Sequence, residues 1–190
     1  MTVQTEFYNW QVNPDQHAVG RNPVRPNSST QLADYLQRRW GGQWLGGYGE
    51  RSVRDGTSLS THAFDAAFDW RYENPGPGLA VADSEIVPFL ISNSHELGVQ
   101  AVHHYRRCII WRPPGTSGRP AGGDGWKQQA PARSGMGQTW ALWLHVEFLP
   151  SALPDGRSVE DRLSNVVVTL PPPPPPCCSA CSPCRLTPPT

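Results

Sequence analysis

The sequence predicts an α+β fold, a small and mainly antiparallel sheet with helices packed against it. Three observations carry that expectation. Residues Leu142 to Phe148 alternate with period two: Leu142, Leu144, Val146 and Phe148 point one way, and Trp143, His145 and Glu147 the other. Two β-rich runs, Val99–Tyr105 and Cys108–Trp111, lie close enough in sequence to pair. Two further stretches begin at capping residues and stop at glycine, as helices do.

In chain order, residues 1–28 are polar and interrupted by Asn-Pro and Arg-Pro, and read as an irregular N-terminal arm. A helix is expected from about Thr30 to Trp40, with Ser29 or Thr30 as its cap and Gly41-Gly42 as its stop. Leu32, Tyr35, Leu36 and Arg39 fall near one face of it. Gly46 to Ser60 reads as loop with one short extended piece. Ala66 to Tyr72 reads as a strand ended by Asn74-Pro75-Gly76-Pro77-Gly78. Asp83 or Ser84 caps a second helix running to about Leu97, with Gly98 at its end and Pro88 near its first turn, where a missing N–H does least harm. The Gly- and Pro-rich segment 112–137 reads as one long loop. Ser158 and Asp161 sit in capping-box-like positions for a last helix to about Val167. Six prolines from Pro171 form a stiff extended spacer, so the folded domain spans 29–170 and a Pro-rich, Cys-rich tail without regular structure spans 171–190.

Composition narrows the function classes. Sixteen basic and sixteen acidic residues give zero formal net charge, so steering toward nucleic acid is not expected. No apolar run approaches the ~20 residues that span a bilayer, and no signal peptide is visible at the start, so synthesis in the cytoplasm without membrane insertion is expected. Eight tryptophans in 190 residues suit a small core or a groove for sugar or peptide. Cys108 reads as a small buried hydrophobe. The four tail cysteines form two C-x-x-C steps without a folded segment between them, and read as part of a low-complexity end rather than as a zinc site.

The chemistry concentrates in Ser60-Thr61-His62-Ala63-Phe64-Asp65-Ala66-Ala67-Phe68-Asp69 and in Trp143-Leu144-His145-Val146-Glu147. Catalytic zinc takes three protein ligands from His, Asp, Glu or Cys and keeps one position for water. His62, Asp69 and His145 are candidates for those three, which leaves Glu147 for proton transfer or for orienting a ligand. His17, His95, His103 and His104 read as structural. His103 and His104 are neighbours in a strand, so only one of them can face the site.

The pattern Ser60-x-His62, Ala67, Asp69 and a distant Trp143-x-His145 resembles the zinc D-alanyl-D-alanine carboxypeptidases of the VanY type and the related L-alanyl-D-glutamate peptidases of phage endolysins. The resemblance covers roughly residues 30–150 and looks closest to the endolysin branch, with Gly46-Gly47-Tyr48-Gly49-Glu50-Arg51 ahead of the histidine. It implies a Hedgehog/DD-peptidase-like fold, with 29–170 as a zinc peptidase domain. It also implies Zn2+ on His62, Asp69 and His145, and Arg51 (with Arg54 close by) holding a substrate carboxylate. The implied substrate is the stem or cross-link peptide of bacterial peptidoglycan, cut by a monomer at the cell wall. Two positions depart from the family pattern. Asp65 replaces its glycine, and Leu142 stands where its acidic general base is expected, with Glu147 the nearest substitute and Asp124 a third candidate. A catalytically impaired zinc-containing module that binds cell-wall peptides is the alternative that Leu142 favours.

Overall fold

A computed structural model of the chain describes residues 3–10, 19–20, 27–49, 52, 58–116, 118–129, 140–154 and 156–164. Arg51, Arg54, the polyproline run and the tail cysteines lie outside these residues. The architecture is α+β, one antiparallel six-stranded sheet with a few helices.

The first helix, α1, spans Ser28–Trp40 and starts slightly earlier than its sequence suggests. Its cap is Asn27, whose side-chain oxygen accepts from the Thr30 N–H at 3.0 Å and from the Ser29 hydroxyl at 2.7 Å. Leu32, Ala33 and Leu36 form its buried face, whereas Arg39 is exposed. Gly41 ends it at φ 76, a conformation that costs a side chain energy and glycine nothing. The short extended piece follows as β1, Gln43–Gly46, an edge strand. Next come a 3-10 turn over Thr61–Phe64 and β2, Ala67–Arg71.

The second helical region departs from expectation at its start. It begins at Leu79 (α2, Leu79–Val81), widens into a π turn over Ala82–Ile86, and continues as α3, Val87–Ser92, and α4, Ser94–Leu97. Pro88 explains the widening: it has no N–H to return to the preceding turn, so an α register cannot pass through unbroken. Asp83 is therefore inside the π turn rather than at a cap. Its carboxylate lies 3.0 Å from His104 Nε2 and 3.1 Å from Arg107 Nε. Gly98 closes α4 in the left-handed region at φ 68.

The strands β3, Val99–His104, and β4, Ile109–Trp111, pair antiparallel as their residue types suggest. The segment expected to be loop contains a further strand, β5, Trp126–Gln128, which pairs with β4. The physical reason is Arg119. Its guanidinium, buried here, donates to the Ile110 and Gly125 carbonyls at 3.2 Å each and ties the loop onto the sheet. The last strand is β6, Trp143–Phe148, and α5, Val159–Leu163, follows, with Ser158 accepting from the Asp161 N–H at 3.0 Å.

Strand order is β1-β2-β6-β3-β4-β5, so β6 runs through the middle. One sheet face carries Phe68, Trp70, Val102, Leu144, Val146 and Phe148, which are buried with Leu32, Leu36, Ile86 and Leu90 of the helices in one core. Burying each such large side chain contributes about 1.5–3 kcal/mol. The arm is not loose over residues 3–10. Tyr8 N–H donates to Gln100 at 2.8 Å, and Trp10, buried and stacked on Phe64, donates its indole N–H to the Phe148 carbonyl at 3.0 Å.

Candidate metal centre

The alternation in β6 puts His145 and Glu147 on the face opposite that core, and strand pairing brings partners to them. Asp69 of β2 and His103 of β3 are both Cα partners of His145, so three polar side chains share one row across three adjacent strands. One step along, Glu147 stands between Ala67 and Ala101. Two alanines leave room for its carboxylate and for Thr61, whose hydroxyl donates to Glu147 Oε1 at 3.2 Å.

His62 reaches the row from the 3-10 turn. Ser60 caps that turn, and Asp65 ends it at φ 54 with its N–H donating to the His62 carbonyl. Asp65 therefore keeps the left-handed conformation for which a glycine is the easy choice, and aspartate is among the few other residues that accept it. The departure from the family pattern at this position leaves the backbone turn in place. Gly47 approaches from the β1 side, and its carbonyl accepts a hydrogen bond from His62 Nδ1.

That last bond decides the tautomer. A carbonyl only accepts, so Nδ1 carries the proton and Nε2 presents a lone pair. His62 Nε2 is buried, has no hydrogen bond, and points at Asp69 Oδ1 across 3.5 Å. A lone pair facing a carboxylate repels it, so either a proton on Nε2 or a metal cation stands between the two. His145 Nδ1 lies 2.9 Å from the same Asp69 oxygen. Tetrahedral zinc with bonds of about 2.0–2.2 Å separates its ligand atoms by roughly 3.3 Å, which is the scale of these distances. The donor set of two imidazoles and one carboxylate thus fits a zinc ion in number, type and spacing.

The second nitrogen of His145 faces Glu147 Oε1 at 3.2 Å, and His103 Nε2 faces the same oxygen at 3.5 Å. His103, His145 and Glu147 form a second convergent group that shares His145 with the first. Its carboxylate is already occupied by Thr61 and by two imidazole nitrogens, an arrangement that holds a ligand's ring in place rather than leaving a vacant lone pair. The same groups also pair with one another electrostatically. Burial pushes the Asp69 and Glu147 carboxyls up, but His145 with His62 on one, and His103 with His145 on the other, outweigh it and hold both well below the usual range. Burial opposes the charged form of His145, yet Asp69 and Glu147 outweigh it and push the imidazole up to about 9. Burial dominates at His103, pushing it down despite Glu147.

His62, Asp69 and His145 are therefore brought together, with Glu147 on the far side of His145. Asp124 is not. It sits in the turn before β5, where its carboxylate accepts from the Trp126 N–H at 3.0 Å, with β3 and β4 between it and β6. Leu142 precedes the first residue of β6, and its carbonyl accepts from the Tyr72 N–H at 3.1 Å. Of the two adjacent histidines, His103 joins the site, whereas His104 turns into the opposite side, buried against Asp83. Period-two alternation settles that one of them faces the site; which one depends on register, and register is a tertiary fact. No protein-family model, no curated protein and no solved structure matches the chain.

Proposed function

We propose that the chain is a zinc-dependent peptidase of Hedgehog/DD-peptidase-like fold that hydrolyses stem or cross-link peptides of bacterial peptidoglycan, as the peptidase part of a phage endolysin. The observation that carries the metal half is the buried His62 Nε2, which makes no hydrogen bond and faces Asp69 Oδ1 at 3.5 Å, with His145 Nδ1 2.9 Å from the same oxygen and one ligand atom of each residue within 4.8 Å of the others. The peptide substrate rests on the resemblance of the two motifs and on zero net charge.

In this reading His62, Asp69 and His145 hold Zn2+. When bound, zinc supplies polarisation of a scissile carbonyl and a water whose pKa is lowered toward neutrality. Glu147 faces His145 Nε2 at 3.2 Å and would hold the proton there, so that Nδ1, 2.9 Å from Asp69, would turn its lone pair to the ion. Of the two roles open to Glu147, its three contacts favour orientation of His145 over direct proton transfer. Arg71 offers a guanidinium on the site's side of the sheet, two residues along β2 from Asp69. It is a candidate for the substrate carboxylate that the sequence assigned to Arg51. The protein works as a monomer, made in the host cytoplasm and acting at the wall. No helix among the described residues is long and apolar enough to cross a membrane.

The test is metal content by mass spectrometry, followed by turbidity loss of bacterial cell walls with and without chelator. One zinc per chain, lost in His62→Ala and His145→Ala, with chelator-sensitive lysis, is the expected result. Metal content unchanged in both variants would refute the site. The second reading is a zinc-containing module that binds wall peptides without cutting them, favoured by Leu142 at the expected base position and by the occupied Glu147 carboxylate. Bound zinc and wall binding without lysis would select it.

A further inference from the structure

A chain of aromatic rings leads from the surface to the metal ligands. Trp140 is 55% exposed, the most exposed of the large hydrophobics among the described residues. It lies 5.7 Å from Trp143, tilted by 30°; Trp143 lies 5.1 Å from Tyr105, tilted by 31°. Tyr105 then lies 6.3 Å from His103 at 25°, and His103 4.8 Å from His145. The first three pairs are near-parallel with centroids 5.1–6.3 Å apart, the spacing of offset stacking, whereas His103 meets His145 edge to face at 72°. Trp143 is on the same face of β6 as His145, two residues or about 6.6 Å along the strand. Across β2 its Cα partner is Arg71, whose Nε is buried without a hydrogen bond.

We infer that Trp140, Trp143 and Tyr105 form a subsite for a sugar ring covalently attached to the peptide held at the metal centre. This rests on the peptidase reading. Three features select a pyranose. The shelf is open at Trp140, whereas an aliphatic side chain is better served by an enclosing pocket. Each indole offers an apolar face with an N–H at its edge, which matches a pyranose with a C–H face and a rim of hydroxyls. The chain's zero net charge supplies no long-range steering toward the phosphates of a stacked nucleotide. The shelf begins within two residues of a metal ligand, so the sugar and the scissile bond belong to one ligand. The enzyme accordingly prefers peptide still linked to glycan over free peptide.

Two measurements test the subsite in wild type, Trp140→Ala and Trp140→Phe. The first is calorimetric titration of the protein with an N-acetylglucosamine tetramer, which carries no peptide. The second is KM for a stem peptide with and without its N-acetylmuramyl group. Trp140→Ala should weaken tetramer binding and raise KM for the sugar-linked peptide by about tenfold each, the scale of one stacking contact, with Trp140→Phe retaining most of both. KM for the free peptide should stay unchanged. Cleavage of both peptides with no dependence on Trp140, or absence of tetramer binding by wild type, overturns the sugar subsite and leaves the peptidase reading intact. Tetramer binding that depends on Trp140, with neither peptide cleaved, overturns the peptidase reading and supports the subsite.

Discussion

Glu147→Gln separates the two roles open to that carboxylate. Its Oε1 accepts from His145 Nε2 at 3.2 Å and Thr61 Oγ1 at 3.2 Å, and faces His103 Nε2 at 3.5 Å. Glutamine keeps the shape and one acceptor oxygen, but it removes the charge that assists each bond and fixes the His145 tautomer. Loss of an outer carboxylate behind a ligating histidine costs 10–100-fold in metal affinity, or about 1.4–2.7 kcal/mol. The assay is competition for zinc against a chromophoric chelator at neutral pH, with circular dichroism confirming the fold. The expected result is a zinc Kd weakened within that range and still tighter than that of His145→Ala. If Glu147→Gln abolishes turnover and leaves the zinc Kd within twofold of wild type, Glu147 transfers protons directly and the orienting role is refuted.

Three further outcomes follow from the fold. Asp65 holds φ 54, so Asp65→Ala should destabilise by about 1–2 kcal/mol while Asp65→Gly is better tolerated, read from urea midpoints; equal losses would mean that the turn is not set by the backbone. Asn27→Ala removes the acceptor that caps α1 and should cost about 1–2 kcal/mol by the same measurement. Burial pushes the Asp83 carboxyl up, but His104 and Arg107 outweigh it and hold it below its usual value. Its stabilisation is therefore complete above the unfolded value of about 3.9 and is lost as pH falls through the lower folded one. Asp83→Asn should flatten the acid limb of a stability–pH profile; an unchanged limb would remove Asp83 from that account.

Where residues carried their own periodicity, the sequence was a good guide. The alternation of β6 placed His145 and Glu147 together and kept Leu144, Val146 and Phe148 in the core, because a strand's faces are fixed by parity alone. The caps of α1 and α5 were legible within a residue or two, as Asn27 against Ser29 and Ser158 itself show, whereas the cap expected at Asp83 or Ser84 was not. What failed was long-range. Trp126–Gln128 is too short and too polar to announce a strand, and pairs because Arg119 anchors its loop. The early start at Leu79 follows from a π turn forced by a proline nine residues on. His103 looked structural because its value to the site depends on which residue of β6 it opposes, and local spacing does not encode that.

The last strand among the described residues lies inside the sheet, with β2 on one side and β3 on the other. That order has a consequence for biosynthesis. A nascent chain that has emerged only as far as β5 lacks β6, which in the complete sheet joins β2 to β3, and lacks His145 altogether. His62 and Asp69 then offer an ion only two donors, too few to retain it firmly. If these residues hold zinc as proposed, metal capture waits until β6 inserts between β2 and β3, so the same event would complete the sheet and the centre. A ribosome stalled before residue 143 would release a product lacking β6, with the facing edges of β2 and β3 unpaired, a natural target for proteolytic removal.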